Sequence, residues 1–157
     1  MDTKSQMIRF VTLLALCFYW SEAAGAVQFV SLKSNKTFLR AGPSKDYPIK
    51  WIYEHKGEPM MVIATLEDWK KVKDFKGDVG WVHDSVVSDA KTGIIKNKLP
   101  VVLYKNSDES SKKILRLEPG VRINIKKCEP DWCKVKIDNF IGWIRSNTIW
   151  GDRSYKK

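Results

Sequence analysis

Residues 56–73 read KGEPMMVIATLEDWKKVK and residues 119–136 read PGVRINIKKCEPDWCKVK. Set side by side without a gap, they share Gly57 with Gly120, Asp68-Trp69 with Asp131-Trp132, and Lys71-Val72-Lys73 with Lys134-Val135-Lys136. Internal similarity of this kind decides an architecture before any single element does. The match extends outward. GDVGWVHDSVV (77–87) faces NFIGWIRSNTI (139–149) once one residue is dropped, and Phe38 to Ser44 faces Val102 to Asp108 more weakly. The period is a little over sixty residues, the size of a small domain, so two copies follow one another along most of the chain.

Each copy reads as short strands. Val121 to Lys126 alternates apolar and polar residues, the period-two signature of a half-buried strand. Leu66-Glu67-Asp68 and Glu129-Pro130-Asp131 supply turns, and Trp69 and Trp132 open the returning strands. Gly80-Trp81-Val82 and Gly142-Trp143-Ile144 begin a further strand in each copy, and no long stretch shows helical periodicity. Short strands at this spacing predict two tandem small β-barrels. Lys91-Thr92-Gly93 is the expected join, giving a first domain over 27–92, a second over 93–153 and a basic tail over 154–157. Barrels of this size bury little surface each, so a contact between them would help both. Met61 and Ile63 fall on the outward parity of their strand, where the second copy has Asn124 and Lys126. They either meet the other barrel or sit at a bulge that turns them inward.

The first 26 residues have the anatomy of a secretory signal peptide: Lys4 and Arg9, an apolar run from Phe10 to Trp20, then small residues ending Ala24-Gly25-Ala26. Cleavage after Ala26 would leave a periplasmic or secreted protein; retention as an anchor is the alternative, although the run falls short of the roughly 20 residues a span needs. From Val27 onward nothing is long and apolar enough to cross a bilayer. The signal's two acidic and two basic residues cancel, so the formal net charge of +10 belongs to the remainder. A basic surface favours polyanionic partners or simply confers solubility, and outside the cytoplasm nucleic acid is a poor candidate. Without Cys17, the cysteines are Cys128 and Cys133. An even number in an oxidising compartment, flanking a tight turn, predicts a disulfide.

The sequence also resembles a family. Leu39-Arg40-Ala41-Gly42-Pro43-Ser44, Gly57, Trp69-Lys70-Lys71-Val72 and Gly80-Trp81-Val82 together look like bacterial Src-homology-3-like (SH3b) domains. The second copy keeps Gly120, Trp132-Cys133-Lys134-Val135 and Gly142-Trp143-Ile144 but has Tyr104-Lys105-Asn106-Ser107 in place of the first landmark. The layout is similar to exported tandem-domain proteins of Gram-negative bacteria. The resemblance implies an all-β chain of two small five-stranded barrels, no catalysis, and binding of cell-wall peptides, glycans or protein partners. In eukaryotic relatives a tryptophan, a proline and a tyrosine form a groove for proline-rich ligands. Trp69 and Trp132 match the tryptophan, but His83 and Arg145 stand at the proline and Val86 and Thr148 at the tyrosine, so polyproline binding is not carried over.

Strand alternation places Trp69, Lys71 and Lys73 on one face, and Trp132, Lys134 and Lys136 on the corresponding face of the second copy. An aromatic ring flanked by ammonium groups suits an anionic ligand with an apolar body, such as a peptidoglycan stem peptide. The competing reading is a solvated strand face carrying ordinary edge lysines. Trp81 and Trp143, beside glycine, are expected in or near the core. Catalysis is not expected: both histidines, His55 and His83, lie in the first copy and both cysteines in the second, leaving a cysteine nucleophile without a base and zinc without four ligands. Neither cofactor nor metal is expected. The reading that results is an exported, non-catalytic module recognising peptidoglycan or its stem peptides; the alternative is an envelope protein–protein interaction or scaffold module.

Overall fold

The structure, a computed structural model, describes residues 27–151. The expected signal peptide (1–26) and basic tail (154–157) lie outside the described residues. The chain forms two antiparallel sheets of seven strands each. The first contains β1 (Gln28–Leu32), β2 (Thr37–Arg40), β3 (Ile49–Tyr53), β4 (Pro59–Leu66), β5 (Trp69–Lys73), β6 (Val79–His83) and β7 (Val87–Ser88). The second contains β8 (Thr92–Ile95), β9 (Val101–Tyr104), β10 (Lys113–Leu117), β11 (Arg122–Cys128), β12 (Trp132–Ile137), β13 (Phe140–Arg145) and β14 (Ile149–Trp150). Strand order is β3-β2-β6-β5-β4-β1-β7 in the first and β10-β9-β13-β12-β11-β8-β14 in the second, the same order shifted by one repeat. A single 3-10 turn precedes the last strand of each. Seven strands rather than the expected five arise because a leading strand, β1 or β8, pairs with both the long hairpin strand and the short closing strand.

Alternation fills each barrel. Leu39, Met60, Val72 and Val82 are fully buried in the first, and Leu103, Ile123, Val135 and Ile144 in the second. The glycine before each Gly-Trp tryptophan is required by a close approach. A Cβ on Gly80 would lie 2.6 Å from the Leu39 side chain and 2.7 Å from the Arg40 carbonyl oxygen, and one on Gly142 only 2.5 Å from the Tyr104 carbonyl oxygen. Since Gly80 and Val82 point inward, Trp81 falls on the outer face, as does Trp143. Of the expected places in or near the core, these tryptophans take the shallower: both are half-buried on the outer face, where Trp81 pairs across the sheet with Lys71 and Trp143 with Lys134.

A third cluster lies between the repeats. Phe29 of β1, Ile94 of β8 and Trp150 of β14 are buried together, with Val27 and Met61 packed against them. Met61 therefore meets the second repeat as its parity foretold. Ile63 does not: the register of β4 against β5 slips between Val62 and Ala64, and at this bulge Ile63 is left exposed. The second repeat bulges at the equivalent place, between Ile125 and Lys127. Polar contacts reinforce the apolar cluster. Ser31 Oγ bonds the Thr92 hydroxyl and donates to the Ala90 carbonyl, and Arg122 forms an ion pair with buried Glu58. Only three residues, 89–91, separate the two sheets.

Candidate functional site

In the first repeat Trp69, Lys71 and Lys73 lie on one face of β5, with Val72 fully buried behind them. Their partners across β6 are His83, Trp81 and Val79. Trp69 borders a groove of about 190 Å3 with Phe38, Arg40, Lys45, His83, Ser85 and Val86. The hairpin turn before β5 aims Trp69 here: Glu67 adopts a left-handed φ of 50°, and the Asp68 carbonyl accepts from the Asp84 N–H at 2.8 Å. The His83 ring meets the Trp69 ring edge-on at 5.2 Å and is held through Nδ1 by the Ser85 hydroxyl at 2.8 Å. The opposite wall comes from the excursion between β2 and β3. It is pinned where Ala41 N–H donates to the Pro48 carbonyl and the Arg40 guanidinium donates to the Tyr47 carbonyl. Arg40 and Lys45 make the groove cationic, no carboxylate lines it, and Lys71 and Lys73 continue the positive row along β5. An aromatic floor, an imidazole and fixed cations can hold an acidic group on an apolar body.

The second repeat closes the same place. Trp132 is 8% exposed. The Arg145 guanidinium stacks over its ring at 4.3 Å and is fixed by Glu109 at 2.8 Å. Tyr104 covers another side, edge-on at 5.7 Å. Arg145 and Tyr104 stand where the first repeat has His83 and Arg40, so two substitutions convert an open groove into a packed one. Lys134 and Lys136 remain on the outer face, half-buried, and Lys127 lies over Trp143 at 4.9 Å. The two tryptophans that look equivalent in sequence thus have different surroundings: Trp69 faces a groove and Trp132 is covered.

The profile of the bacterial SH3 domain matches residues 33–89 and again 97–151, the two repeats just described. The chain belongs to the bacterial SH3 domain family. No curated protein sequence matches it significantly. Among solved structures, an NlpC/P60 family protein from Bacillus cereus is 14% identical with a TM-score of 0.35, covering 78% of this chain and 56% of its own. NlpC2 and NlpC1 from Trichomonas vaginalis are each 9% identical, with TM-scores of 0.37 and 0.36, covering 83% and 87% of this chain and 48% of theirs. The chain thus spans about half the length of these structures.

The tandem SH3 repeats differ also at the hairpin turn. Cys128 and Cys133 face each other across β11 and β12 with Cα atoms 4.0 Å apart and form a disulfide. The first SH3 repeat places Thr65 opposite Lys70 in the same register, and Lys70 forms an ion pair with Asp84 at 2.8 Å. The same hairpin is therefore built without the bond, which identifies the cysteines as a staple. The loop they close is short, so the loop-closure gain is about 2 kcal/mol. Reduction, or Cys128→Ala with Cys133→Ala, is expected to lower the melting temperature by roughly 5–10 °C and to leave the far-ultraviolet circular dichroism spectrum intact. An unchanged melting temperature in scanning calorimetry would show the staple to be without effect. Among the described residues no group of three or more histidine, cysteine or carboxylate side chains could hold a metal ion, and no helix is long and apolar enough to cross a membrane.

Proposed function

We propose that this tandem SH3 protein is an exported, non-catalytic module that binds peptidoglycan through its stem peptides, and that the groove at Trp69 does the binding. The observation that carries this reading is the asymmetry of the repeats: one groove is open, aromatic and cationic, while the other is packed shut by Arg145 and Tyr104. A stem peptide offers carboxylates on a short aliphatic chain. The indole of Trp69 takes the apolar part, and Arg40, Lys45 and Lys71 take the charge. The basic outer face around Lys73, Lys134 and Lys136 adds a long-range attraction to an anionic wall, which weakens as salt rises.

Co-sedimentation with purified sacculi tests it. Wild-type protein is expected to pellet at low and at physiological salt, while Trp69→Ala pellets at least tenfold less. Lys134→Ala with Lys136→Ala should reduce pelleting modestly and only at low salt. Failure of the wild type to pellet at low salt, where a protein of net charge +10 is most strongly attracted, would remove cell-wall recognition and leave the protein–protein interaction role.

A further inference from the structure

Opposite in character to the basic faces is a cleft of about 480 Å3 where the two repeats meet. Its walls include Trp51, Ile52 and Phe75, all exposed, with Trp51 at 51% and Ile52 at 50%. Its polar groups are predominantly acidic. Glu54, Glu58, Asp74 and Asp78 line it against Lys76 and Arg122, and Glu58 and Arg122 already neutralise each other. Asp74 is buried but wholly committed, accepting from the Tyr53 hydroxyl and from the Asp78 N–H, each at 2.8 Å. Burial and the adjacent Asp74 carboxylate push the Tyr53 phenol above its ordinary range, so Tyr53 stays a donor. Glu54 and the carboxylate of Asp78 take part in none of the ion pairs among the described residues.

The same rim is a sheet edge. β3 ends its sheet and has a hydrogen-bonded neighbour on one side only, so the outer half of its backbone donors and acceptors is open. Edge strands are ordinarily blunted by charge or by cover. β3 instead reads Ile49-Lys50-Trp51-Ile52-Tyr53, of which four residues are exposed, and its single lysine is turned back to the Val79 carbonyl at 2.6 Å. The matching edge strand of the second repeat, β10, tucks Ile114 and Leu115 against its core.

We infer that the open edge of β3 and the adjoining acidic cleft form a docking surface for an extended peptide segment carrying lysine or arginine. The segment would add a strand beside β3 through main-chain hydrogen bonds. One basic side chain would enter the cleft, its stem on Trp51 and Phe75 and its cationic head near Glu54 and Asp78. Charge complementarity selects this occupant. On a molecule of net charge +10 a basic peptide is repelled by most of the surface, and this cleft is a place where carboxylates outnumber cations beside exposed aromatic rings. The inference is independent of the Trp69 groove, and either can fail alone.

The test titrates the full chain with an acetylated, amidated pentapeptide alternating lysine and valine, following the Trp51 indole N–H by NMR. Saturable one-to-one binding that shifts this resonance is expected, at least tenfold tighter than for the glutamate–valine analogue. N-methylation of alternate peptide amides should weaken it at least tenfold, because strand addition is then blocked. Glu54→Gln with Asp78→Asn should weaken it about fivefold, the size expected for two partly exposed ion pairs, without altering Trp69→Ala-sensitive sacculus pelleting. Equal binding of the N-methylated peptide would overturn the inference, as would butylammonium binding as tightly as the peptide. So would concentration-dependent self-association of the chain through β3 with no peptide binding.

Discussion

Replacing Trp150 with alanine is expected to destabilise the protein by about 3–5 kcal/mol and to divide its unfolding into two steps. Trp150 is the last described residue but one, on a two-residue strand, yet it sits at the centre of the contact between the repeats. Phe29 meets its ring edge-on at 5.0 Å, and Phe75 lies at 5.6 Å. Both belong to the first repeat, so the side chain of one repeat completes the packing of the other. Domains of about sixty residues are marginal alone, and a shared core couples their unfolding. Scanning calorimetry of the wild type should give one transition whose calorimetric and van't Hoff enthalpies agree. Trp150→Ala should lower the first melting temperature by at least 10 °C and separate a second. Two transitions already present in the wild type would show the cluster not to couple the repeats.

Trp132→Ala should cost about as much, roughly 3–5 kcal/mol, and for a different reason. Its ring is covered by Tyr104 and by the Arg145 guanidinium, which Glu109 holds in place. Truncation removes the surface on which the arginine stacks and leaves a cavity beneath Tyr104 and Arg145. Trp69→Ala, at a half-buried position bordering a groove, should cost about 1–2 kcal/mol. Urea unfolding separates the two: a lower midpoint at unchanged slope for Trp132→Ala, and a much smaller shift for Trp69→Ala. Equal shifts would mean that both tryptophans serve structure alike.

The fold was legible in this sequence because the chain states it twice. Gly57, Asp68-Trp69, Val72 and Gly80-Trp81 each have a counterpart about one repeat away, which separates pattern from chance. The pairing of Cys128 with Cys133 was legible too, since the turn brings them together and the first repeat shows the hairpin forming without them. What strand alternation alone could not convey was depth. It places Trp69 and Trp132 on the same face, but Trp132 is covered by Arg145 and Tyr104, residues 13 and 28 positions away along the chain. Alternation also shows Gly80 and Gly142 only as small residues, whereas the backbone crossing them is what turns Trp81 and Trp143 outward. The exposed apolar edge at Trp51 was not legible, because Ile49-Lys50-Trp51-Ile52-Tyr53 reads as a strand whose apolar residues are covered. Its position at the end of the sheet order is a property of the whole topology.

Whether Trp69 and not Trp132 meets the ligand is decided by titrating wild-type protein with a purified stem tetrapeptide while following all indole N–H resonances. A saturable shift of the Trp69 resonance and of the His83 ring signals is expected, with little change at Trp132 and at least a tenfold loss of affinity in Trp69→Ala with the fold preserved. Saturable binding that moves Trp132 instead, or that survives Trp69→Ala undiminished, would contradict it.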